Sequence, residues 1–531
     1  MKTVLNYISP HTFIKINATK AFIIFKLITV IIVFIVSSCG KDFGDINVDP
    51  NNPRVVPPEV LMTGAQKVLA DGVFAGVNAT GITNLALPEL LAQSWTQNNY
   101  TDVCRYAIGG DLLNVFFEAF YAGVLEDLAD IIEIVTNHPG LDSLADRNKK
   151  AIAIILRCYT FQLVTDVFGP VPYQEALKGD QNKTPAYVSQ REIYLGILEE
   201  LHQAIMDLDE SAGSFGAADI IYAGDVSKWK KFAHSLILRI SMRMSDVEPD
   251  IAKKEFEQAF THAFSGNSDN ACFKYLSAHP NSNPLHQLWI ERGNADLGLS
   301  DILIDKTLKP LNDPRLLVWA EERLNGGGYF GRPYGQNSDN AAAISSDNYS
   351  LPSGSFAIIE RLFNYHPFDV LRPEAFACLM SYSEVCFLMA EAVERGWQIS
   401  GSAADWYHLG IISSLQEWGL TDVQIMDSYL NQQSVNYITA SGDWKQKIGV
   451  QKWLALFMQG FQAWSEWRRL DFIKLEAPVD GAIGEIGTLP APLRLVYPSA
   501  EQTLNTRNYF KALELLKGED KLNTRVWWDV K

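Results

Sequence analysis

Apolar residues recur every three or four positions along most of this chain, and that spacing fixes its fold class. Ile152, Ile155, Tyr159, Leu163 and Val167 make one such stripe; Ile193, Ile197, Leu201, Ile205 and Leu208 make a second. Trp229, Phe232, Leu236, Ile240 and Met244 follow, then Val385, Leu388 and Ala392, then Tyr407, Ile411, Leu415 and Trp418, and late in the chain Val450, Trp453, Phe457, Phe461, Trp464 and Trp467. Each puts one apolar face on a helix. The helices come in pairs joined by short polar turns, about the size of a tetratricopeptide unit but without a clean 34-residue period. The expected fold is mainly α, built of tetratricopeptide-like helix pairs with few short strands.

The pattern fails between about 270 and 375. Turn residues gather there: His279-Pro280-Asn281-Ser282-Asn283-Pro284, Asn325-Gly326-Gly327-Gly328, Gly331-Arg332-Pro333-Tyr334-Gly335 and Leu351-Pro352-Ser353-Gly354. Loops this long in a compact domain are functional or disordered, and the aromatics within them (Trp289, Tyr329, Phe330, Tyr334, Tyr365) argue against disorder. A large irregular insertion in one helical domain, 59–531, is the expected organisation.

The N-terminal segment carries four lysines and no acidic residue, an apolar run from Leu27 to Val36, and the sequence Val36-Ser37-Ser38-Cys39-Gly40. That is a charged region, a short hydrophobic region and a small-residue cleavage site ending in cysteine. The expectation is a lipoprotein signal over 1–38, with Cys39 the lipidated N-terminus of the mature chain. The other reading is a membrane anchor, since Ala21–Phe25 extends the apolar stretch across Lys26; the uninterrupted run of ten residues is half of what spans a bilayer. Residues 39–58 hold four prolines and read as an extended tether.

Net charge is −17, and −21 without the four signal lysines. A chain this acidic is unsuited to nucleic acid or to anionic lipid, so membrane contact is expected only through the lipid. Of the six cysteines, five remain beside Cys39; none forms a C-x-x-C, and they read as buried small hydrophobes. The nine histidines show no metal spacing, and no nucleophile elbow or phosphate loop is present. No cofactor or metal is expected, although structural calcium in the loops stays open, as does a catalytic carboxylate pair among the 62 acidic residues.

Several longer stretches carry more information. They are Thr165-Asp166-Val167-Phe168-Gly169-Pro170-Val171-Pro172-Tyr173, Gly224-Asp225 with Lys228-Trp229 and His234-Ser235-Leu236, and Glu384 with Phe387-Leu388 and Ala390-Glu391-Ala392. Later come Gln451-Lys452-Trp453, Glu466-Trp467-Arg468-Arg469, Arg494 with Tyr497-Pro498, Glu501 and Asn505, and Trp527-Trp528-Asp529. In this order they resemble the SusD/RagB-type outer-membrane lipoproteins, with His234 standing where that family usually has Asn. Lys41-Asp42 is similar to the short signal that sends such lipoproteins to the cell surface. The resemblance implies a surface-exposed, lipid-anchored, non-catalytic protein. It would bind an oligosaccharide and cap a SusC-like TonB-dependent transporter. Most of the motifs have structural explanations: Gly169-Pro170 ends a helix, Asp225 caps the helix carrying Trp229, and Glu391, Arg468 and Arg469 pair across packed helices.

The family's binding groups come from a loop after the first helix and from the central insertion. Here the first zone is Ser94–Asp102, with Trp95, Asn98, Asn99 and Tyr100 as candidates. Aromatic faces suit sugar C–H surfaces, and amides suit hydroxyls. An equal reading has the segment as an Asn-capped helix end with Trp95 buried. The second zone offers Trp289, Arg292, Tyr329, Arg332 and Tyr334. Three rivals stay open: a RagB-like receptor for peptide or glycopeptide, a surface hydrolase with two carboxylates in a cleft, and a scaffold without ligand.

Overall fold

The computed structural model describes residues 56–76, 83–84, 87–137, 139–140, 142–355, 365–472 and 474–530. The signal segment, Cys39 and the tether up to Val55 lie outside the described residues. Residues Pro58–Lys531 cluster as one unit.

Consecutive helices pair as the periodicity predicts. Helix α1 (Pro58–Phe74) packs on α2 (Glu126–Asn137), α2 on α3 (Ser143–Phe168) and α3 on α4 (Gln190–Asp207). Helix α5 (Val226–Arg243) pairs with α6 (Pro249–Ala259), and α7 (Tyr382–Glu394) with α8 (Ala403–Glu417). Helix α9 (Trp444–Ala455) joins α7 and α10 (Gly460–Leu470). Their starts are written locally. Asp142, Ser189, Asp225, Ser381, Ser402 and Asp443 each accept a hydrogen bond from a first-turn amide, satisfying donors that have no partner within the helix. Helix α3 stops at Gly169, whose φ of +84° suits glycine, and Pro170 then prevents its continuation. Helix α3 is long and apolar enough to cross a membrane, yet it lies buried as the central core helix.

Among the described residues, strands are few and short, and they form three two-stranded antiparallel ladders. These are β1 (Trp95–Gln97) with β5 (Leu297–Leu299), β2 (Val171–Pro172) with β3 (Tyr187–Val188), and β4 (Ala271–Phe273) with β6 (Ala377–Met380). The last ladder carries a difference from the sequence reading. Cys272 and Cys378 face each other across it and form a disulfide, while Cys104, Cys158 and Cys386 are buried and free. A partner 106 residues away leaves no local spacing signal.

The signature motifs converge in the core. Arg469 of α10 grips Glu391 of α7 through both oxygens (2.6 and 2.5 Å) and reaches Glu466 (2.7 Å). Lys452 of α9 and Arg243 of α5 lie 2.9 and 3.0 Å from Glu466. Burial would raise the Glu466 carboxyl, but Arg469, Lys452 and Arg243 outweigh it and hold it well below the usual carboxylate range. Arg468 turns the other way, to the carbonyls of Asp166 and Leu493. The Asp166 carboxylate accepts from Tyr194 and from the Trp528 indole. The residues shared with the family therefore build the fold and leave no part of this network open to solvent.

Candidate functional site

The two zones singled out in the sequence meet in one place. Strand β1 pairs with β5 in the register Trp95↔Leu299, Thr96↔Gly298 and Gln97↔Leu297. The 331–335 segment then lies alongside: the Arg332 amide donates to Leu299 (2.9 Å), Asp301 donates to the Arg332 carbonyl (2.8 Å), and Gly335 donates to the Thr96 hydroxyl (3.2 Å). Residues from three parts of the chain thus share one surface.

Asp296, in the turn before β5, organises that surface. One carboxylate oxygen accepts from the amides of Asn99 (2.5 Å) and Tyr100 (3.0 Å). The Asn98 carboxamide donates to the Ala295 carbonyl (2.9 Å), while its own oxygen has no partner among the described residues. Gly298, opposite Thr96, separates the Asn98 amide from Arg332. A Cβ there would lie 3.3 Å from Asn98 Oδ1 and 3.9 Å from Arg332 Nε, so glycine is what lets the two side chains approach this closely. The Arg332 guanidinium stacks over the Tyr349 ring at 4.6 Å and is only 6% exposed. Burial lowers its pKa, partly offset by Tyr349 and Asp296. Tyr100 stands out at 75% exposed. The patch therefore offers an exposed aromatic ring and an exposed Asn99, set over a buried unpaired amide oxygen of Asn98 and a held cation. These are groups that accept and donate to hydroxyls, and no nucleophile–base pair stands among them.

Three of the candidate residues are placed otherwise. Trp95 is 0% exposed; its ring stacks on Phe457 (6.2 Å), which stacks on Trp319 (4.2 Å). The burial matches the second reading of that segment, but the segment is a strand and not a capped helix end. Tyr334 is 3% exposed, its hydroxyl donating to the Leu90 carbonyl (2.8 Å). Trp289 is 6% exposed. Their rings present no face to solvent in this structure. A tryptophan in a polar stretch reads as exposed, but strand pairing turned Trp95 inward, and register is not legible from composition; Trp289 lies in the helical turn Gln287–Glu291 and Tyr334 in a loop, both packed into the core. Tyr329 is half-buried on a separate loop, beside Phe330, whose ring lies between Lys309 (4.2 Å) and Arg323 (3.9 Å). Arg292 is exposed in the turn leading to Asp296. Asp296 and Tyr349 were not singled out by sequence; only their turn-rich surroundings hinted at them.

Among the described residues, one His/Cys/Asp/Glu group brings its ligand atoms within 4.8 Å: Cys272, Cys378 and Glu417. Its sulfurs are joined in the disulfide.

No curated protein matches the chain by sequence. Solved structures do. A chitin-binding protein is 28% identical with a TM-score of 0.75, over 89% of this chain and 100% of that one. A SusD homologue from Bacteroides uniformis is 28% identical with a TM-score of 0.76, over 89% and 99%. A chitin-binding SusD homologue from Flavobacterium johnsoniae shares the fold at 23% identity and a TM-score of 0.74, over 89% and 99%. The family model described as starch-binding and associating with the outer membrane matches residues 50–498, which takes in the helix pairs, the buried charge network and the β1–β5 surface alike; the chain belongs to the SusD-like family.

Proposed function

We propose that this chain is a lipid-anchored, cell-surface glycan-binding protein that captures an oligosaccharide and delivers it to a SusC-like TonB-dependent outer-membrane transporter. The observation that carries this reading is the β1–β5 ladder, which sets Asn98, Asn99 and Tyr100 beside Asp296, Arg332 and Tyr349. Family membership and the chitin-binding neighbour support it. The mechanism is capture without chemistry. Tyr100 offers a ring face to a sugar, the exposed Asn99 amide meets a hydroxyl over Asn98, and Arg332 donates to a ring or carbonyl oxygen from a position fixed by Tyr349. Arginine held in place loses little freedom on binding, so more of each contact appears as affinity.

The test is a titration of the full chain with chitin- and starch-derived oligosaccharides. Tyr100→Ala is expected to weaken binding of whichever sugar binds by roughly three- to tenfold, the scale of one aromatic contact. Trp95→Ala is expected to lower the melting temperature. Release of shortened sugar during the titration would refute capture without turnover. Binding untouched by Tyr100→Ala and Asn98→Ala would move the site elsewhere.

A further inference from the structure

A second cavity, of about 530 Å³, opens beside the β4–β6 ladder, where the start of α5, the 267–270 turn and the end of α8 meet. That volume lies within the roughly 300–1,000 Å³ of small-molecule sites. It shares no residue with the β1–β5 surface.

Its charge runs against that of the chain. Lys228, Lys274 and Arg372 line it, opposed by Glu374 and Glu417. Among the described residues, no carboxylate comes within 4.0 Å of any of the three cationic groups. Lys228 lies 5.7 Å from the centre of the Tyr222 ring and Arg372 lies 5.8 Å from that of Phe368. In a chain of net −17, three cations around one cavity with no carboxylate within 4.0 Å are a feature to be explained, even though Glu374 and Asp369 partly offset the burial of Arg372.

The lining also holds acceptors without donors. Asn267 donates its amide to the Ser413 carbonyl (3.0 Å), but Oδ1 is buried and has no partner. Glu417 Oε2 is buried and unpartnered as well, close to the disulfide sulfurs. Burial pushes this carboxyl up to about 8, so at neutral pH it is an acid that can donate one hydrogen bond and accept another. Orphaned buried polar atoms are uncommon in native proteins and call for a reason. The half-buried ring of Phe376 adds an apolar face.

Bare inorganic anions answer only the cations, because they bring no donor to Asn267. Neutral sugars answer only the acceptors. We propose that this cavity binds an anionic, hydroxylated small molecule of the acidic-sugar class, its carboxylate held by Lys274 and Arg372 and its hydroxyls by Asn267 and Glu417. The site stands independently of the glycan surface at β1–β5.

The probe is glucuronate, titrated into the full chain beside glucose and acetate. Glucuronate is expected to bind at least tenfold more tightly than either. Charge reversal at exposed Lys274 (Lys274→Glu) is expected to weaken it more than tenfold, with an unchanged melting temperature. Asn267→Ala is expected to bring glucuronate down to the level of acetate. Equal binding of acetate and glucuronate would overturn the sugar assignment. No glucuronate binding, or binding unchanged in Lys274→Glu, would overturn the site.

Discussion

Glu89 shows how much one side chain can set. It is fully buried at the start of the Pro88–Leu91 turn, accepts from the Ser94 hydroxyl (2.5 Å) and the Met458 amide (3.3 Å), and leaves its other oxygen unpartnered. Burial raises its carboxyl to about 7, against the lowering effect of Ser94 and the Met458 amide. The folded chain keeps this proton between about pH 4.5 and 7, whereas the unfolded chain releases it. Glu89 therefore costs stability progressively as pH rises through that window, on the order of 3 kcal/mol by pH 7, and no more beyond it. Glu89→Gln should gain stability relative to the native chain between pH 4.5 and 7, measured by denaturant unfolding at several pH values. A constant difference across that range would show that Glu89 titrates normally. The same scale explains what sequence left hidden. Trp95 and Tyr100 are both aromatics in one polar stretch, and only the pairing of Trp95 with Leu299 decides that the first is core and the second stands in water.

At the scale of elements, much was legible. The stripes gave most of the helices, Asp225 gave a helix start, and Gly169-Pro170 gave a helix end followed by strand β2, because these are local rules that a short window contains; the stripe from Val450 to Trp467, read as one helix, is broken between Ala455 and Gly460 into α9 and α10. The ladders were not legible, since their partners lie far apart and no spacing announces them. The β4–β6 ladder is the sharpest case, and it carries a prediction. Its disulfide closes a span of 106 residues across the irregular insertion, and a cross-link over so long a loop removes much freedom from the unfolded chain. The double change Cys272→Ala with Cys378→Ala should cost roughly 2–5 kcal/mol in urea unfolding. Equal stability with and without the bond would mean that the insertion stays ordered without it. Inside the insertion, Arg315 supplies a second anchor: its guanidinium meets Asp313 (2.9 and 2.6 Å), Ser414 (3.0 Å) and Gln451 (3.0 Å). A segment poor in regular structure is thus tied to α8 and α9 by one buried cation.

Across the whole molecule, charge does what apolar packing does elsewhere. Glu391, Glu466, Arg469, Lys452 and Arg243 join α5, α7, α9 and α10 with side-chain exposures of 3% or less. Removing one member of a buried pair leaves the other uncompensated, at about 3–5 kcal/mol, whereas removing both relieves that penalty. Arg469→Met and Glu391→Leu should each destabilise strongly, and the double variant should cost less than their sum by more than about 1 kcal/mol. Additive losses would mean that the two residues act separately. The network also explains why the recognisable motifs said more about family than about ligand. They are the residues that hold the helices in register, beneath the surface that carries the candidate site.

Trp528 gives that architecture a distant latch. Its indole donates to Asp166 at 2.8 Å from 362 residues further along the chain, and the neighbouring Trp527 amide donates to Gln190. Asp166 already accepts from Gln162 within α3 and from Tyr194 of α4, and the Trp528 indole adds a contact that neither helix can supply. The central helix pair is therefore sealed by a residue far from it in the chain, and a change at Trp528 is felt at α3 and α4 rather than locally.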